Sequence, residues 1–428
     1  MKNYLYSVVL SIALVACSAD VYELSGSPRA QARSIKRGVS YGFSLPAVDA
    51  ALLGPSISWF YNWGPNISAE MGNLASLYQL DFFPMAWNGA FDAEQIRAYK
   101  AFNPNCQYIL AFNEPNFTDQ ANLTPAQAAA EWPKVKALAE ELNLKIVSPA
   151  MNYGTIEGYS DPIVWLDEFF TLVPLDDMDA IAIHCYMGNA SALKSYVERF
   201  KKYDKPIWMT EFCAWESFIS NATAQMKFMS EAIQYMEQEP MIARYAWFMP
   251  RTSGAVDSYP YMQLLTKSQP YDLTPLGQVF TQISSCDQSV YAVADQIIEA
   301  EHFTQSNIVD VIGQEGFSAL VHLRPTSDTA GGNLEIYDFY SNKWLSYQIE
   351  LTKTATYFFT MRYASAYDSS IQLMVDGQNT LLMDIPSTGS ETEWVTITYP
   401  FDITEGKHIL RLLPQGASIC VNWLKIES

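Results

Sequence analysis

The sequence predicts an α/β fold, a (β/α)8 TIM barrel, followed by an antiparallel β-sandwich of the jelly-roll type. Between residues 37 and 280, eight short apolar runs alternate with amphipathic segments, and eight strand–helix units in this length are typical of such a barrel. The polar stretch 284–289 then interrupts the pattern. Beyond it, strand-length runs recur without a helical period, which favours a β-sandwich.

Each of the eight runs is largely apolar, as expected for parallel strands that are buried on both faces. The clearest helical segment between them runs from Ala126 to Leu142. Thr124 and Pro125 precede it as an N-cap and a first-turn residue, which predicts where this helix begins. The predicted strands of the barrel cover residues 37–42, 57–62, 81–87, 108–112, 144–148, 180–184, 206–210 and 244–248.

The second region contains regularly spaced strand-length runs. Asp376-Gly377 and Glu405-Gly406 supply turns between them, and this combination is typical of an antiparallel sandwich. Its predicted strands cover residues 344–351, 357–364, 371–375, 394–399, 408–413 and 419–426. The predicted domains are a signal peptide (1–16), a tether (17–36), the barrel (37–283), a linker (284–294) and the sandwich (295–428).

The first residues have the form of a secretory signal, in which one lysine precedes a mostly apolar stretch. That stretch is too short to span a bilayer comfortably. The tetrapeptide Leu14-Val15-Ala16-Cys17 resembles a bacterial lipobox, which implies lipidation of Cys17 and a protein anchored by lipid to the bacterial cell envelope. The alternative is an ordinary signal with an incidental cysteine. The sequence leaves open whether the protein faces the periplasm or the cell surface.

Composition excludes some partners and leaves others open. The net charge is −20, with 46 acidic and 26 basic residues, so nucleic acid and anionic lipid headgroups are unfavourable partners. Aromatic residues reach 14%, which fits either sugar stacking or large cores. The five cysteines after Cys17 show no CxxC spacing, which argues against a disulfide scaffold or a zinc site.

Two glutamates define the candidate active site. Glu114 follows the predicted strand 108–112, and Glu211 follows the strand 206–210. A carboxylate at the C-terminal end of a barrel strand is costly to bury unless it has a function there. A facing pair, one a proton donor with a raised pKa and the other a nucleophile, is what retaining glycoside hydrolysis requires. The alternatives are an exposed loop glutamate and an ion-paired core residue.

Polar and aromatic side chains accompany the pair at other strand ends. The Asn113 amide is placed to donate to a sugar 2-hydroxyl, and Tyr186 to donate to Glu211 and hold it ionised. His184 is either a site residue or a satisfied core histidine, and Trp247 is expected to lie beneath the reacting sugar. The other candidates are read either as substrate contacts or as core: Trp59, Tyr61, Asn62, Trp63, Trp87, Asn152, Tyr153 and Trp215.

Five segments together resemble glycoside hydrolase clan A and, within it, family 128: Arg37–Tyr41, Phe60–Trp63, Ala111–Pro115, His184–Tyr186 and Met209–Phe212. The Asn-Glu-Pro piece alone is typical of the whole clan, whereas its combination with the second-strand aromatics and Thr-Glu-Phe is more specific. The resemblance implies retaining hydrolysis of β-1,3-glucan without a cofactor for catalysis. Carried over by position, Glu114 is the acid/base and Glu211 the nucleophile.

The segments 298–303 and 421–424 resemble family 6 carbohydrate-binding modules. That resemblance implies a structural calcium held in part by Glu299 and Glu301, the alternative being an exposed acidic strand. Glu391 and Ser418 stand near positions where the family has a tryptophan and an asparagine. Tyr337 and Tyr340 remain candidates for stacking a sugar, and the domain either binds glycan or only braces the barrel.

We therefore expect a monomeric endo-glucanase that cleaves β-1,3-glucan of the laminarin or curdlan type and meets the membrane only through its lipid anchor. One alternative is a hydrolase of a different β-glucan, because subsites are built from loops. A second is a surface glycan-binding lipoprotein with an inactive barrel, which the presence of Glu114, Glu211 and Asn113 speaks against. A third, a structural adhesin, has no positive feature in the sequence.

Overall fold

The computed structural model describes residues 31–252, 260–307 and 320–428. The expected signal peptide, Cys17 and most of the tether therefore lie outside the described residues. The described chain contains an α/β region from Arg37 to Gln282 and a β-rich region from Ala292 to Glu427. In these ranges no helix combines the length and the apolar character needed to cross a bilayer.

Strands and helices alternate through the α/β region, and each strand overlaps one of the eight predicted runs. The strands are β1 Arg37–Ser40, β2 Trp59–Tyr61, β3 Asp81–Phe82, β4 Tyr108–Leu110, β5 Lys145–Val147, β6 Ile181–Cys185, β7 Ile207–Phe212 and β8 Ile242–Trp247. The helices are α1 Pro46–Leu53, α2 Ala69–Leu77, α3 Ala93–Phe102, α4 Pro125–Leu142, α5 Pro162–Leu172, α6 Ala190–Phe200, α7 Ala222–Gln238 and α8 Pro275–Gln282.

All strand pairs of the α/β region are parallel. Six strands form one sheet in the order β3-β2-β1-β8-β7-β6, and β4 pairs with β5. Isolated parallel bridges, Met85 with Leu110 and Val147 with Ala180, join these two sets at both ends. Because the strands run in one direction, their C-terminal ends meet at a single edge, where the predicted site residues follow them.

Local sequence signals explain the predicted helix between the fourth and fifth strands, which is confirmed as α4. Thr124 caps its N-terminus, and the Gln127 side chain accepts from the Thr124 backbone in return, forming a capping box. Pro125 occupies the first turn, where its missing N–H costs nothing. The helix ends at Asn143 in the left-handed conformation, with φ 51°, which short polar residues tolerate.

A buried arginine ties the N-terminal edge of the α/β region together. Arg37 on β1 is fully buried and pairs with Glu237 at the end of α7 at 3.3 Å. Its guanidinium also donates to the backbone carbonyls of Phe280 and Ser284 at 2.9 and 3.1 Å. A buried cation requires such partners, and here they fix β1, α7 and α8 to one another.

The β-rich region forms two mainly antiparallel sheets. One has the order β12-β13-β20-β15-β18 with β10 beside β20, and the other β11-β14-β19-β16-β17 with β9 beside β14. All six predicted strands are present, whereas the shorter early strands and β17 were not predicted. The strands are β9 Ala292–Val293, β10 Ile297–Glu299, β11 Gln305–Ser306, β12 His322–Pro325, β13 Leu334–Phe339, β14 Leu345–Leu351, β15 Ala355–Ala364, β16 Ser369–Val375, β17 Gln378–Ile385, β18 Val395–Ile403, β19 Gly406–Pro414 and β20 Ile419–Glu427.

The two regions pack directly on each other through α7 and β12. The Gln234 amide donates to the Val321 carbonyl at 2.8 Å, and Ser230 Oγ accepts from the Leu323 N–H at 3.2 Å. His322 lies between Glu231 of α7, at 2.7 Å, and Asp338 of β13, at 2.6 Å. The β-rich region is therefore held by side-chain to backbone hydrogen bonds as well as by the chain connection.

Candidate active site

Glu114 and Glu211 face each other at the C-terminal ends of the parallel strands. Glu211 lies within β7, and Glu114 follows β4. Both are largely buried, with 8% and 4% of their surface exposed. A carboxylate oxygen of each and a ring nitrogen of His184 all lie within 4.8 Å of one another. This proximity is compatible with the separation of about 5–5.5 Å between the two carboxyl groups of retaining glycosidases.

Glu211 is surrounded by hydrogen-bond donors. Its Oε1 accepts from the Tyr61 hydroxyl at 2.9 Å and from the Trp63 indole N–H at 2.8 Å. Its Oε2 accepts from the Tyr186 hydroxyl. Burial, followed by the negative charge of Glu211, raises the pKa of both tyrosines well above its usual range, so both keep their protons. Three donors fix the orientation of this carboxylate.

Glu114 has donors on one oxygen only. Its Oε1 accepts from the Asn152 amide at 3.1 Å and lies 2.9 Å from His184 Nδ1. No hydrogen bond to Oε2 is found among the described residues, so Oε2 is the oxygen left to carry a transferable proton. Because both near neighbours of His184 Nδ1 are carboxylate oxygens, this nitrogen carries the hydrogen.

His184 controls the charge of the pair. Burial lowers the pKa of His184, but the charges of Glu211 and Glu114 and the hydrogen bond to Glu114 outweigh it, and the pKa is raised. Burial raises the pKa of Glu114, but the hydrogen bond and charge of His184 and the Asn152 amide outweigh it, and the pKa is lowered. The prediction of a raised pKa for Glu114 is therefore wrong, because it left His184 out.

The pair opens into a cleft of about 500 Å³. Of the predicted substrate contacts, Asn113, Trp63, Trp87, Asn152, Tyr186 and Trp215 line it. Phe117, Gln120 and Phe248 line it as well and were not predicted. The first two lie in a loop without periodicity, which gave no signal. Phe248 follows the predicted Trp247, and choosing between these neighbours required knowing which way each side chain points.

Asn113 is held by one of the unpredicted residues. Its Nδ2 donates to Gln120 Oε1 at 3.1 Å. Its Oδ1 is buried and has no hydrogen-bond partner among the described residues. The amide therefore retains hydrogen-bonding capacity beside the cleft, which is what a contact with a sugar hydroxyl needs.

Two predicted substrate contacts are wrong. Trp247 is fully buried, and its indole N–H donates to the Met262 carbonyl at 2.7 Å. Trp59 is also fully buried, and its indole donates to the Lys36 carbonyl at 2.9 Å. Trp59 points to the same face as Tyr61 and stacks on it with ring centres 6.2 Å apart, but it lies two residues farther from the strand end. Asn62 bonds within its own loop and does not line the cleft, so its contact with substrate stays a prediction.

Tyr61 and Tyr153, two further predicted substrate contacts, present no ring face to the cleft. Tyr61 is fully buried and touches the site only through its hydroxyl, so it positions Glu211 and offers no stacking face. Tyr153 is 46% exposed, and Arg199 donates to its hydroxyl at 2.8 Å. It follows Asn152 but does not line the cleft.

The cluster of Glu114, His184 and Glu211 also has the spacing of a metal site. A cation would need lone pairs of Glu211 and a free ring nitrogen of His184. Tyr61, Trp63 and Tyr186 already donate hydrogens to Glu211, and the nearest nitrogen of His184 carries a hydrogen. This arrangement of donors favours a carboxylate pair that handles protons.

The aromatic candidates in the β-rich region are not open platforms. Tyr337 is 5% exposed, and the Arg324 guanidinium lies 4.4 Å from the centre of its ring. Arg324 also pairs with Glu391 at 3.2 Å. The ammonium of Lys343 lies 4.2 Å from the ring centre of Tyr340. Tyr337 is therefore unavailable for stacking a sugar, and one face of Tyr340 is covered by a cation of the same chain.

The surroundings of Glu299 and Glu301 bear on their predicted role as calcium ligands. Glu301 is fully buried, and only the backbone N–H groups of Glu301 itself and Leu334 act on its carboxylate; within the described residues no side chain donates to it or to Glu299 Oε2. Burial raises the pKa of both groups. Buried carboxylate oxygens with so few donors are costly unless a cation or a proton compensates them, and oxygen ligands are those that calcium prefers. The residues present therefore fit a cation.

Comparison with known families agrees with this site. Residues 38–280 match the family model described as the glycosyl hydrolase catalytic core. Residues 318–428 match the model for carbohydrate-binding module family 6. The first match covers more than half of the chain, so the chain belongs to the glycosyl hydrolase catalytic core family and is a glycoside hydrolase.

The catalytic core is similar to solved GH128 enzymes. It is 35% identical to a GH128 (subgroup II) endo-β-1,3-glucanase from Pseudomonas viridiflava, covering 58% of this chain and 98% of that one with a TM-score of 0.53. It is 36% identical to the corresponding Sorangium cellulosum enzyme, covering 57% and 97% with a TM-score of 0.52. The chain thus has a GH128-like catalytic core.

A curated relative matches about half of the chain. The alkali-sensitive linkage protein 1 of Schizosaccharomyces pombe is 26% identical over 230 residues, which are 51% of this chain and 39% of that protein. The chain therefore spans about two fifths of that relative's length.

The donors around Glu211 lead to a first prediction. Tyr61→Phe removes one hydrogen bond to a charged group, worth about 1.5–3 kcal/mol, and kcat/KM should fall about 10- to 100-fold on whichever β-glucan the wild-type protein cleaves. Tyr203→Phe is the control, because its hydroxyl donates to Asp167 at 2.9 Å outside the cleft. Equal kcat/KM values for Tyr61→Phe and wild type would contradict the assigned role.

Proposed function

We propose that this protein is a retaining endo-hydrolase of β-1,3-glucan whose eight parallel strands close into a (β/α)8 barrel, followed by a β-sandwich. The observation that carries the proposal is the pair Glu114 and Glu211, whose nearest oxygens lie within 4.8 Å at the C-terminal ends of parallel strands. The two bridges between the strand sets support closure of the barrel, and two antiparallel sheets support the sandwich.

In the first step, Glu211 attacks the anomeric carbon and the glycosidic C–O bond breaks. Glu114 gives its Oε2 proton to the departing sugar oxygen, so the leaving group departs neutral. In the second step, the ionised Glu114 takes a proton from water, the water oxygen attacks the anomeric carbon, and the bond to Glu211 breaks. Two inversions give net retention. Tyr61, Trp63 and Tyr186 aim Glu211 and stabilise its charge before the attack and after its release.

In this reaction, His184 balances the charge of the two buried carboxylates. In the unliganded protein its proton lies against Glu114 Oε1, 2.9 Å away, and the lowered pKa of Glu114 follows from that charge. Substrate removes water from the cleft, which penalises separated charges. Glu114 then takes up a proton on Oε2, while His184 loses its Nε2 proton and keeps its Nδ1 hydrogen on Glu114 Oε1, which leaves a neutral acid beside an ionised nucleophile. His184 is thus proposed to act on the reaction through Glu114.

The substrate assignment rests on the cleft and on the relatives. Trp63, Trp87, Trp215 and Phe248 bring four aromatic side chains to one cleft, as expected for a site that stacks several sugars. The two similar solved enzymes are endo-β-1,3-glucanases. Together these features favour internal cleavage of a linear β-1,3-glucan.

The function is tested by hydrolysis of linear β-1,3-glucan. Wild type should release oligosaccharides, while Glu114→Gln and Glu211→Gln should lose at least about a thousandfold in kcat because one covalent or proton-transfer partner is missing. Glu140→Gln, an exposed carboxylate on α4, is the matched control. Proton NMR of the first product should show the β-anomer. Cleavage of only another β-glucan would leave the mechanism and overturn the substrate, and binding without cleavage would overturn both.

We also propose that Cys17 carries a lipid that anchors the protein to the bacterial cell envelope, supported by the sequence Leu14-Val15-Ala16-Cys17. Wild-type protein expressed in a bacterium should partition into the membrane fraction, and mass spectrometry should find acyl chains on the peptide that begins at Cys17. Cys17→Ser should abolish both, and a Cys286→Ser control should change neither. A Cys17→Ser protein that stays in the membrane fraction would remove this proposal.

Glu299 and Glu301 are proposed to help hold a structural calcium in the β-sandwich. Calcium at about 100 times its Kd should stabilise the full-length protein by about 2.7 kcal/mol, measured as a melting temperature that EDTA lowers and calcium restores. Glu301→Gln should lose the calcium response and, in EDTA, melt no lower than wild type, because a buried unpaired charge is gone. Glu350→Gln, exposed on β14, should respond like wild type. A calcium response retained by Glu301→Gln would exclude this site.

The β-sandwich itself is proposed to brace the barrel. Its contacts with α7 support this role, and the covered faces of Tyr337 and Tyr340 argue against stacking of a sugar there.

A further inference from the structure

Two loops meet at the acid. The acid loop (residues 113–121) carries Glu114, and the amide loop (residues 151–160) carries Asn152. We propose that Asn116 is a positioning residue that holds the amide loop so that the Asn152 side chain stays on Glu114. This inference rests on the proposed function, because it takes Glu114 as the acid/base.

Asn116 joins the loops through four hydrogen bonds. It is fully buried, and its Nδ2 donates to the backbone carbonyls of Asn152 at 2.7 Å and Tyr159 at 3.2 Å. Its own backbone carbonyl accepts from the N–H groups of Thr155 and Ile156, both at 3.0 Å. One side chain thus fixes the two ends of the amide loop, and one carbonyl fixes its middle.

Gly154 allows this close approach. A Cβ at Gly154 would lie 2.3 Å from the Asn116 carbonyl oxygen and 2.4 Å from its Nδ2, distances that no side chain could occupy without moving one of the loops. The residue of the amide loop that lies against Asn116 is therefore one without a side chain. Gly154 and Asn116 form a single packing contact.

The contact controls where Asn152 points. The Asn152 Nδ2 donates to Glu114 Oε1 at 3.1 Å, and its Oδ1 accepts from the Tyr153 N–H at 2.8 Å. Its backbone carbonyl is the acceptor for Asn116. Asn152 therefore binds the acid through its Nδ2, and its Oδ1 and backbone carbonyl form the bonds that hold it in place.

The acid needs this support because its own backbone is strained. Glu114 has φ 41°, in the left-handed region that residues with a Cβ rarely adopt. With Asn152 and His184 on Oε1, the other oxygen is left for the substrate. Without Asn152, only His184 holds Oε1, and the orientation of the carboxyl is less well fixed. The other titratable groups that face Glu114 or act on it by charge are Glu211, Tyr61, Tyr186 and Tyr196.

The test compares Asn116→Ala, Asn152→Ala and the double variant in the full chain. On β-glucan, each single variant should lose about tenfold or more in kcat, part of the 10²–10⁴-fold that a general acid supplies. With a dinitrophenyl glycoside, whose leaving group needs no proton, formation of the glycosyl-enzyme should change less than about twofold. The double variant should lose no more than the worse single variant, because Asn116 acts through Asn152.

The pH profile gives a readout that a purely structural role would not move. Asn152 donates to the ionised form of Glu114, so losing it raises the pKa of Glu114. The alkaline limb of kcat/KM should therefore move to higher pH in Asn116→Ala, in Asn152→Ala and in Gly154→Ala, which disturbs the same contact from the other loop. The Thr118→Ala control removes the 3.0 Å hydrogen bond to Thr155 between the same loops and should leave the limb in place.

Additive losses in the double variant, or an unmoved alkaline limb in Asn116→Ala, would overturn the positioning role. If the wild-type protein cleaves no β-glucan, the proposed function fails separately. The carboxyl ¹³C resonance of Glu114, assigned by its disappearance in Glu114→Gln, still reports whether its pKa rises in Asn116→Ala. A pKa equal to that of wild type would again overturn the inference.

Discussion

The site depends on holding two buried carboxylates within 4.8 Å of each other. Two like charges at that distance repel by about 3 kcal/mol at an effective dielectric constant of 20, in addition to the cost of burying each charge. Three donors on Glu211 and the ring of His184 between the carboxylates oppose this repulsion. Their side chains come from β2 and its loop and from β6 and its loop, so the charge balance requires correct pairing of distant strands.

The same constraint separates the roles of the two glutamates. Glu211 has donors on both oxygens, whereas Glu114 has donors on Oε1 only. When two titratable groups have different surroundings, one can act as the acid and the other as the nucleophile. His184 contacts both, which couples their protonation, and the lowered pKa of Glu114 belongs to the unliganded state of that coupled set.

The sequence predicted the strands and the pair because apolar runs and strand-end carboxylates are local features. It failed for Trp59 and Trp247 because a run buried on both faces does not indicate toward which face a side chain points or how far it lies from the strand end. Phe248 lines the cleft beside the buried Trp247 for that reason. Gln120 and the Asn116 contact depend on loops that meet only after folding, and the pKa of Glu114 depends on a histidine 70 positions away.

Helix α7 contacts both the β-rich region and the loop that carries Trp215. Gln225 in the first turn of this buried helix donates to the Ala214 and Pro260 carbonyls at 2.9 and 2.6 Å, and so holds the loop that carries Trp215. Further along the same helix, Ser230 and Gln234 bind the backbone of the β-rich region. One helix therefore connects the two regions. We therefore expect the β-rich region to support the cleft indirectly, through the helix behind the loop that carries Trp215.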